Sequence, residues 1–385
     1  MSKIKNLKKA SSRIKKAINN KENIILFSDA DLDGVTSLII LEETIKNLGG
    51  NISSRYIFNR GKEGNGLSEN ALKFLKKYAP GLLILMDCGI GNFKEVDSAQ
   101  KLGFEVLIID HHLILGKIPR AEIVIDPKQK TDKYAFKFLA ACGICFKLSQ
   151  ELLKNKKCLS LEQSLLELAA IGTLSDKMPL EEDNKTLIED GLAHLPFTLR
   201  PGLKVFFKIF NLGKYFVNEI VQKIISILQH TEMKNHLNES YKLLTSAHDK
   251  EIEKKVKKLI ERSLKQLELV KEIVQKIEKK VSSDSVFIFE GEKDVSIDFT
   301  GSIASRLFAK FQKPIFIFAV KNNIIRGSAR APKEINSVEA LSHCSFCLKD
   351  YGGHAPASGF CLKKQNLGKF KICLEEYFLN LDESI

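Results

Sequence analysis

Ile24-Ile25-Leu26-Phe27-Ser28-Asp29-Ala30-Asp31-Leu32-Asp33-Gly34 sets three carboxylates at alternate positions, directly after an apolar run and directly before a helical pattern. A short apolar run of this kind fits a buried strand. Alternate strand residues share a face, so Asp29, Asp31 and Asp33 are expected to offer their oxygens together at the strand's tip. Anions packed so densely repel one another unless a cation sits among them, and carboxylate oxygens suit a hard divalent ion. The stretch also spells the opening of an EF-hand loop. Position twelve of that loop would be Ile40, however, where a bidentate Glu is needed, and a strand rather than a helix precedes it. A solvated acidic turn is the remaining alternative.

Outward from that stretch, residues 23–126 alternate strand and helix. Strands are read at 24–27, 52–58, 82–86 and 106–109, and helices at 35–48, 68–78 and 93–102, the pattern of a parallel α/β sheet. Asp29, Asp87 and Asp110 follow three of these strands. Parallel strands bring their C-terminal ends to one edge, where open α/β sheets place their sites, so three distant carboxylates are expected to converge. Residues 134–170 read as helical and lead to Asp176 in a following loop, where capping a helix is its alternative role. Helices continue from 184 to 246, broken at Pro196 and Pro201, without a chemical motif.

Residues 249–280 contain neither Gly nor Pro, and Ile252, Val256, Ile260, Leu264, Leu267, Val270, Val274 and Ile277 recur every three or four positions. One helix of roughly 45 to 50 Å follows, long enough to lead from one domain to the next, with a coiled-coil dimer arm as its alternative. A second α/β unit begins near Val286. It has a helix at 301–311, strands at 315–320 and 324–328, a helix at 338–351 and a closing glycine turn. Arg326, Ser328 and Arg330, with Gly352-Gly353-His354, supply cations, exposed N–H groups and an imidazole, the parts that grip a phosphate.

With 385 residues, 44% of them hydrophobic, the chain can bury two or three cores. An excess of 60 Lys and Arg over 47 Asp and Glu gives a formal charge of +13 and favours polyanionic partners. No apolar run reaches the roughly 18 residues of a membrane span and no signal-peptide core is seen, so a cytoplasmic protein without a membrane partner is expected. Residues 1–20 read as a basic amphipathic helix that packs through Ile4, Leu7, Ile14 and Ile18. Eight cysteines in a long cytosolic chain are expected to be free thiols. The pairs Cys142/Cys145 and Cys344/Cys347 lack companions at zinc-finger spacing.

Asp110-His111-His112, at the end of the third acidic strand, is where these readings meet a known family. The chain resembles the DHH phosphoesterases, and among them the RecJ-type single-strand exonucleases. The resemblance rests on Asp29-Ala-Asp-Leu-Asp-Gly34, Met86-Asp-Cys-Gly89, Asp110-His-His112 and Gly172-Thr-Leu-Ser-Asp-Lys-Met-Pro179. The C-terminal unit resembles the DHH-associated domain through Gly301-Ser-Ile-Ala-Ser-Arg306, Arg326-Gly-Ser-Ala-Arg330 and Gly352-Gly-His-Ala355. The fold then implied is α/β: a DHH domain at 1–195, a helical region and linker helix at 196–283, and a smaller DHH-associated domain at 284–385, with the active-site cleft between the two α/β domains.

The resemblance implies two divalent ions, Mn²⁺ first and Mg²⁺ second. Asp29 and Asp31 would hold one, Asp33, His111 and Asp176 the other, and Asp87 would bridge them. Two such ions would activate a water against phosphorus. His112 would stabilise charge or donate a proton, and Asp110 would orient a histidine. Arg60, Arg306, Ser328, Arg330, Gly352, Gly353 and His354 would contact a single-stranded nucleic acid, digested from 5′ to 3′.

Some features depart from the bacterial enzymes. An OB-fold domain like theirs is not expected within these 385 residues, and an arginine-bearing segment of theirs corresponds to Ile225-Ser-Ile-Leu-Gln-His230. In size the chain is nearer the archaeal type, for which association with GINS-type replication proteins is a family expectation. The competing readings are a nanoRNase/pAp-phosphatase-type enzyme acting on very short substrates, and a non-catalytic DHH scaffold.

Overall fold

The computed structural model describes residues 3–382, apart from 115, 157, 212, 230, 247–250, 283–284 and 292–294. His230 and residues 249–250 of the expected long helix therefore lie outside the described residues, as do residues 1–2. The chain divides into two compact units, 1–261 and 262–385.

The first unit is built on five strands: β1 (Asn23–Ser28), β2 (Ile52–Ile57), β3 (Gly81–Met86), β4 (Phe104–Ile109) and β5 (Ile123–Ile125). All pair in parallel, in the order β2-β1-β3-β4-β5. The short β5 is absent from the sequence reading, since three apolar residues are too few to show a period. Alternation along each strand sends its side chains into two different cores. Ile24, Leu26, Leu82, Ile84, Leu107 and Ile109 enter one, with helices Leu7–Asn19, Leu32–Asn47, Ala141–Leu153 and Leu159–Ser175. Ile25, Phe27, Leu83, Leu85, Val106 and Ile108 enter the other, with helices Glu69–Leu75 and Phe93–Lys101. Burial on both faces is why these strands read as unbroken apolar runs.

The chain leaves β1 toward β2 on one side and β3 toward β4 on the other. The gap between the C-terminal ends of β1 and β3 is thus the switch point, where an open sheet has room for a site.

The stretch 134–170 is not one helix: residues 134–140 are non-helical, and Ala141–Leu153 and Leu159–Ser175 follow as separate helices. Helices Pro201–Phe210 and Val217–Leu228 complete the first core through Leu203, Phe206, Ile220 and Ile224. Between Val217–Leu228 and helix Glu239–Leu244 runs the small ribbon β6 (Met233–Lys234) and β7 (Leu237–Asn238). The long helix spans Ile252–Glu278. Its early residues Ile252, Val256 and Leu259 belong to the first unit's core, and Val270, Ile273, Val274 and Ile277 to a core of the second. Leu264, Leu267 and Leu269 between them are exposed.

The second unit holds β8 (Ile288–Gly291), β9 (Ile315–Lys321), β10 (Ile324–Arg330), β11 (Leu348–His354) and β12 (Ala357–Lys363), in the order β11-β12-β10-β9-β8. Only the β8–β9 pair is parallel. Along β9, Ile315, Ile317 and Ala319 face helix Ile297–Phe311, whereas Phe316 and Phe318 face helices Ser337–His343 and Leu367–Asp382.

Two readings are corrected here. The helix expected at 338–351 stops at His343, because residues 348–354 pair with 357–363 as a hairpin. Gly352-Gly353-His354 is consequently the end of β11 rather than a turn after a helix. The thiols are not all free either: Cys344 and Cys373 form a disulfide across the Phe-rich core, with Cα atoms 5.9 Å apart. No sequence spacing signals that pair, because tertiary packing alone brings the end of one helix beside the face of another.

Candidate metal centre

The acids of the opening motif do not share a strand face, contrary to the sequence reading. Strand β1 ends at Ser28, and Asp31 caps helix Leu32–Asn47 by accepting the Gly34 N–H at 3.1 Å. A carboxylate at this position satisfies an otherwise orphaned N–H, so the helix starts early and Asp33 lies in its first turn. The three carboxylates are gathered by a tight strand-to-helix turn. Gly34 is what permits it: a Cβ there would lie 2.6 Å from the carbonyl oxygen of Asp29. From outside, Asn238 braces the turn by donating to the Ala30 carbonyl at 3.0 Å.

Asp33 is buried and accepts the N–H groups of Ala141 and Cys142, each at 2.8 Å. It thereby holds the N-terminus of helix Ala141–Leu153, whose dipole favours an anion there. Asp87 follows β3 with φ of 57°, a left-handed conformation in which Asp is among the better-tolerated side chains. Its backbone N–H donates to the carbonyl of Ile109 at 2.9 Å, tying the ends of β3 and β4 together.

Asp176 opens the turn after helix Leu159–Ser175, as that helix's C-cap. A carboxylate at a helix C-terminus meets the negative end of the dipole, so local helix energetics do not account for it. Its approach depends on Gly172, where a Cβ would collide with Thr36 Oγ1 and stand 2.6 Å from Cys142 Sγ.

Asp110 spends one oxygen on the loop that follows β4 and the other on the loop that follows β3. Oδ1 accepts the N–H groups of His111 and His112 at 2.8 and 3.2 Å and lies 2.7 Å from His112 Nδ1. Oδ2 accepts the Ile90 N–H at 3.0 Å. Burial alone would lower the basicity of His112, but the Asp110 charge and hydrogen bond outweigh it and push His112 up to about 9. Asp110 is held below the ordinary carboxylate range: burial works against this and is overcome mainly by the His112 charge. The pair is a buried carboxylate and a partly exposed imidazole.

His111 is buried, with Nε2 3.3 Å from Asp87 Oδ1, 3.5 Å from Asp176 Oδ2 and 3.7 Å from Asp33 Oδ2. Three sets of potential ligand atoms each fall within 4.8 Å of one another: Asp29, Asp31 and Asp87; Asp33, His111 and Asp176; and Asp87, His111 and His112. Asp87 and His111 each belong to two of the sets and together link all three.

Crowding has an electrostatic consequence. Burial raises Asp29 and Asp33 to about 6, with the Asp31 charge adding to both. Burial raises Asp176 to about 8, reinforced by Asp33 and Asp31, and raises Asp87 well above the ordinary carboxylate range, reinforced by Asp31, Asp33 and Asp29. Asp87 Oδ1 and Asp176 Oδ2 are buried oxygens that accept no hydrogen bond, a costly state unless something else satisfies them. Carboxylates around an imidazole nitrogen form a donor set that fits divalent cations such as Mn²⁺ or Mg²⁺.

Arg60, although half exposed, is paired with these carboxylates. Its Nε donates to Asp29 Oδ1 and Oδ2 at 2.9 and 2.7 Å, and its Nη2 reaches Asp29 Oδ2 and, at 3.1 Å, Asp31 Oδ2.

The sequence reading passes over two neighbours. Asp126 follows β5 and is buried, which pushes it up to about 7. Lys128 donates its N–H to Asp126 at 2.7 Å and its ammonium to the carbonyl of His111. An acid directly after Ile123-Val124-Ile125 repeats the signal of Asp29, Asp87 and Asp110 and was available to find it.

The other residues assigned to the substrate belong to the second unit. Ser328 and Arg330 share one face of β10, where Ser328 Oγ is 2.9 Å from Thr300 Oγ1 and Arg330 Nε donates to Ser305 Oγ at 3.0 Å. Strand register puts Gly352, Gly359 and Ser328 in one row and His354, Ala357 and Arg330 in another on the same face. A Cβ added at Gly352 would meet nothing within 4 Å, so the backbone there stands open. Arg306 is exposed on helix Ile297–Phe311.

Comparison with known proteins matches residues 23–173 to the DHH family, N-terminal domain, and residues 283–380 to the DHHA1 domain. The chain is a RecJ-like member of the DHH superfamily. The single-stranded-DNA-specific exonuclease RecJ of Bacillus subtilis is 31% identical over 380 residues, covering 97% of this chain and 48% of the relative. The protein of the same name from Thermus thermophilus is 27% identical, covering 97% and 54%. This DHH chain thus spans about half the length of these two relatives. A crystal structure of exonuclease RecJ bound to manganese superposes with a TM-score of 0.81 at 24% identity, covering 98% of this chain and 95% of that one. Thermus thermophilus RecJ in complex with Mn²⁺ gives 0.82 at 23%, covering 98% and 55%. These likenesses establish the α/β fold. No helix among the described residues is long and apolar enough to cross a membrane.

Proposed function

We propose that the chain is a metal-dependent exonuclease that hydrolyses phosphodiester bonds of single-stranded DNA from the 5′ end, and accepts RNA. The observation that carries this reading is the convergence of Asp33, Asp87 and Asp176 on the Nε2 of His111, beside Asp29 and Asp31. Asp31 and Asp33 also hold helix N-termini, but those roles do not account for the remaining acids, and packing so many buried carboxylates together opposes folding. The names of the RecJ relatives support the same reading.

Asp29 and Asp31 would hold one ion, Asp33, His111 and Asp176 a second, with Asp87 shared. Bound there, the ions would supply an acidified water and charge stabilisation at phosphorus. The chain's own groups then have defined tasks. Asp110 orients His112 and keeps it protonated, so that His112 can hold the developing negative charge or give a proton to the departing oxygen. Lys128 fixes the loop carrying both histidines through the His111 carbonyl. Ser328, Arg330, Arg306 and the Gly352-Gly353-His354 strand end would grip the sugar–phosphate backbone of the substrate. A cytoplasmic location and association with GINS-type proteins belong to the proposal through the family resemblance alone.

The test is digestion of end-labelled DNA and RNA single strands, long and very short, with Mn²⁺ or Mg²⁺. Asp87→Asn and His111→Ala should each lower the Mn²⁺-dependent rate by more than the roughly hundred-fold typical of a residue that merely orients a ligand. Hydrolysis at the wild-type rate by either variant would refute the assignment, and release confined to substrates of a few nucleotides would favour the short-oligonucleotide enzyme.

A further inference from the structure

The two halves of the acidic cluster differ in how their oxygens are used. Beside His111, Asp87 Oδ1 and Asp176 Oδ2 accept no hydrogen bond. Beside Arg60, all four carboxylate oxygens of Asp29 and Asp31 are engaged. Asp29 Oδ1 accepts from Ala30 N–H and Arg60 Nε, and Oδ2 from Arg60 Nε and Nη2. Asp31 Oδ1 accepts the Gly34 N–H, and Oδ2 accepts from Arg60 Nη2. One guanidinium therefore spans the pair of acids that, with Asp87, forms one candidate cation group.

Resting on the metal-dependent reading above, we propose that Arg60 is the resident counter-cation of the Asp29–Asp31 pair and competes with a divalent ion for it. Arg60 would thereby set the ion concentration at which this half of the centre fills. A guanidinium and a divalent ion repel each other, and both need the same oxygens, so occupancy by one opposes the other. Planar, two-pronged donation suits Arg to hold a carboxylate pair while no ion is bound.

The geometry also gives Arg60 somewhere to go. Its helix, Arg60–Glu63, is anchored by Glu63, which accepts from Tyr56 Oη at 2.5 Å and from the Asn59 N–H at 2.8 Å. The Arg60 side chain itself is half exposed. The backbone can therefore stay while the side chain turns outward. The arrangement also protects the apoprotein, since the guanidinium offsets the mutual repulsion of Asp29 and Asp31.

Mn²⁺ binding is followed by calorimetry and by the spin-resonance signal of free Mn²⁺, on the full chain, for wild type, Arg60→Ala, Arg60→Lys and Asp33→Asn. Wild type should show two classes of site. R60A should tighten the weaker class about ten- to hundred-fold, the equivalent of removing charged hydrogen bonds. R60K should fall between, and D33N should weaken the other class instead. In EDTA, R60A should melt below wild type, and saturating Mn²⁺ should close that gap. R60Q, which keeps length without charge, is read where R60A does not fold. Unchanged or weaker Mn²⁺ binding by R60A, with the same melting deficit with and without Mn²⁺, would make Arg60 a structural ion pair and overturn the inference alone. A wild-type chain that binds no Mn²⁺ overturns the metal-dependent reading itself.

Discussion

Replacing Gly172 by Ala adds one methyl group at the point where three helices meet. The new Cβ would collide with Thr36 Oγ1 and stand 2.6 Å from Cys142 Sγ, and both neighbours are fully buried within helices. Carbon–heteroatom contact is comfortable near about 3.5 Å, so helix Leu159–Ser175 must retreat by about 1 Å. Overpacking of this kind costs about 1–3 kcal/mol. Asp176 is on the same helix, its N–H bonded to the Gly172 carbonyl at 3.0 Å, and would move with it, away from His111. A misplacement of about 1 Å at a reacting centre lowers rate by about a hundred-fold. Urea unfolding should show a lower midpoint with an unchanged slope, and initial rates on a labelled single strand should fall far more than stability loss explains. Cutting back the obstructing atoms, with Thr36→Ala and Cys142→Ala in the same chain, should recover part of the rate. A Gly172→Ala protein as stable and active as wild type would refute the claim that close helix approach positions Asp176.

Glu167 gives a pH signature remote from the acidic cluster. It is buried, accepts from Thr198 Oγ1 at 2.5 Å, and burial raises it from 4.5 to about 7. The folded state thus keeps a proton that the unfolded chain releases above about pH 4.5, so this contribution to stability is full below that pH and is lost as pH rises to about 7. Glu167→Gln removes the slope and should gain up to about 3 kcal/mol on wild type between about pH 4 and pH 8; parallel pH curves from urea midpoints would count against it. The Cys344–Cys373 bridge closes a loop of 29 residues, worth about 3.5 kcal/mol in the chain-entropy account. Reductant or Cys373→Ala should lower the urea midpoint of the second unit, and a non-reducing digest without the crosslinked peptide would disprove the bridge.

The legible features were those with a local cause. Apolar runs at 24–27, 82–86 and 106–109 marked β1, β3 and β4 because both of their faces are buried, and acids placed directly after them had to emerge at one sheet edge. The missing Gly and Pro over 249–280 similarly announced a long helix. Asp33 shows the limit. Its type and spacing suggested a strand tip, yet an N-cap at Asp31 moved it into a helix, where it anchors a second helix more than a hundred residues away. Residues 348–351 failed as a helix for a related reason, since their structure comes from strand partners at 360–362.

By itself, then, the order of residues determined which carboxylates and imidazoles could meet, because strand direction and connection order follow from local patterns of burial. Tertiary structure decided how each one is used. Asp110 became a brace for His112, Asp176 approached only because Gly172 lets helices touch, and Arg60 turned inward onto Asp29 and Asp31. Those outcomes depend on distances of a few ångströms between segments far apart in the chain, and no local pattern encodes such distances.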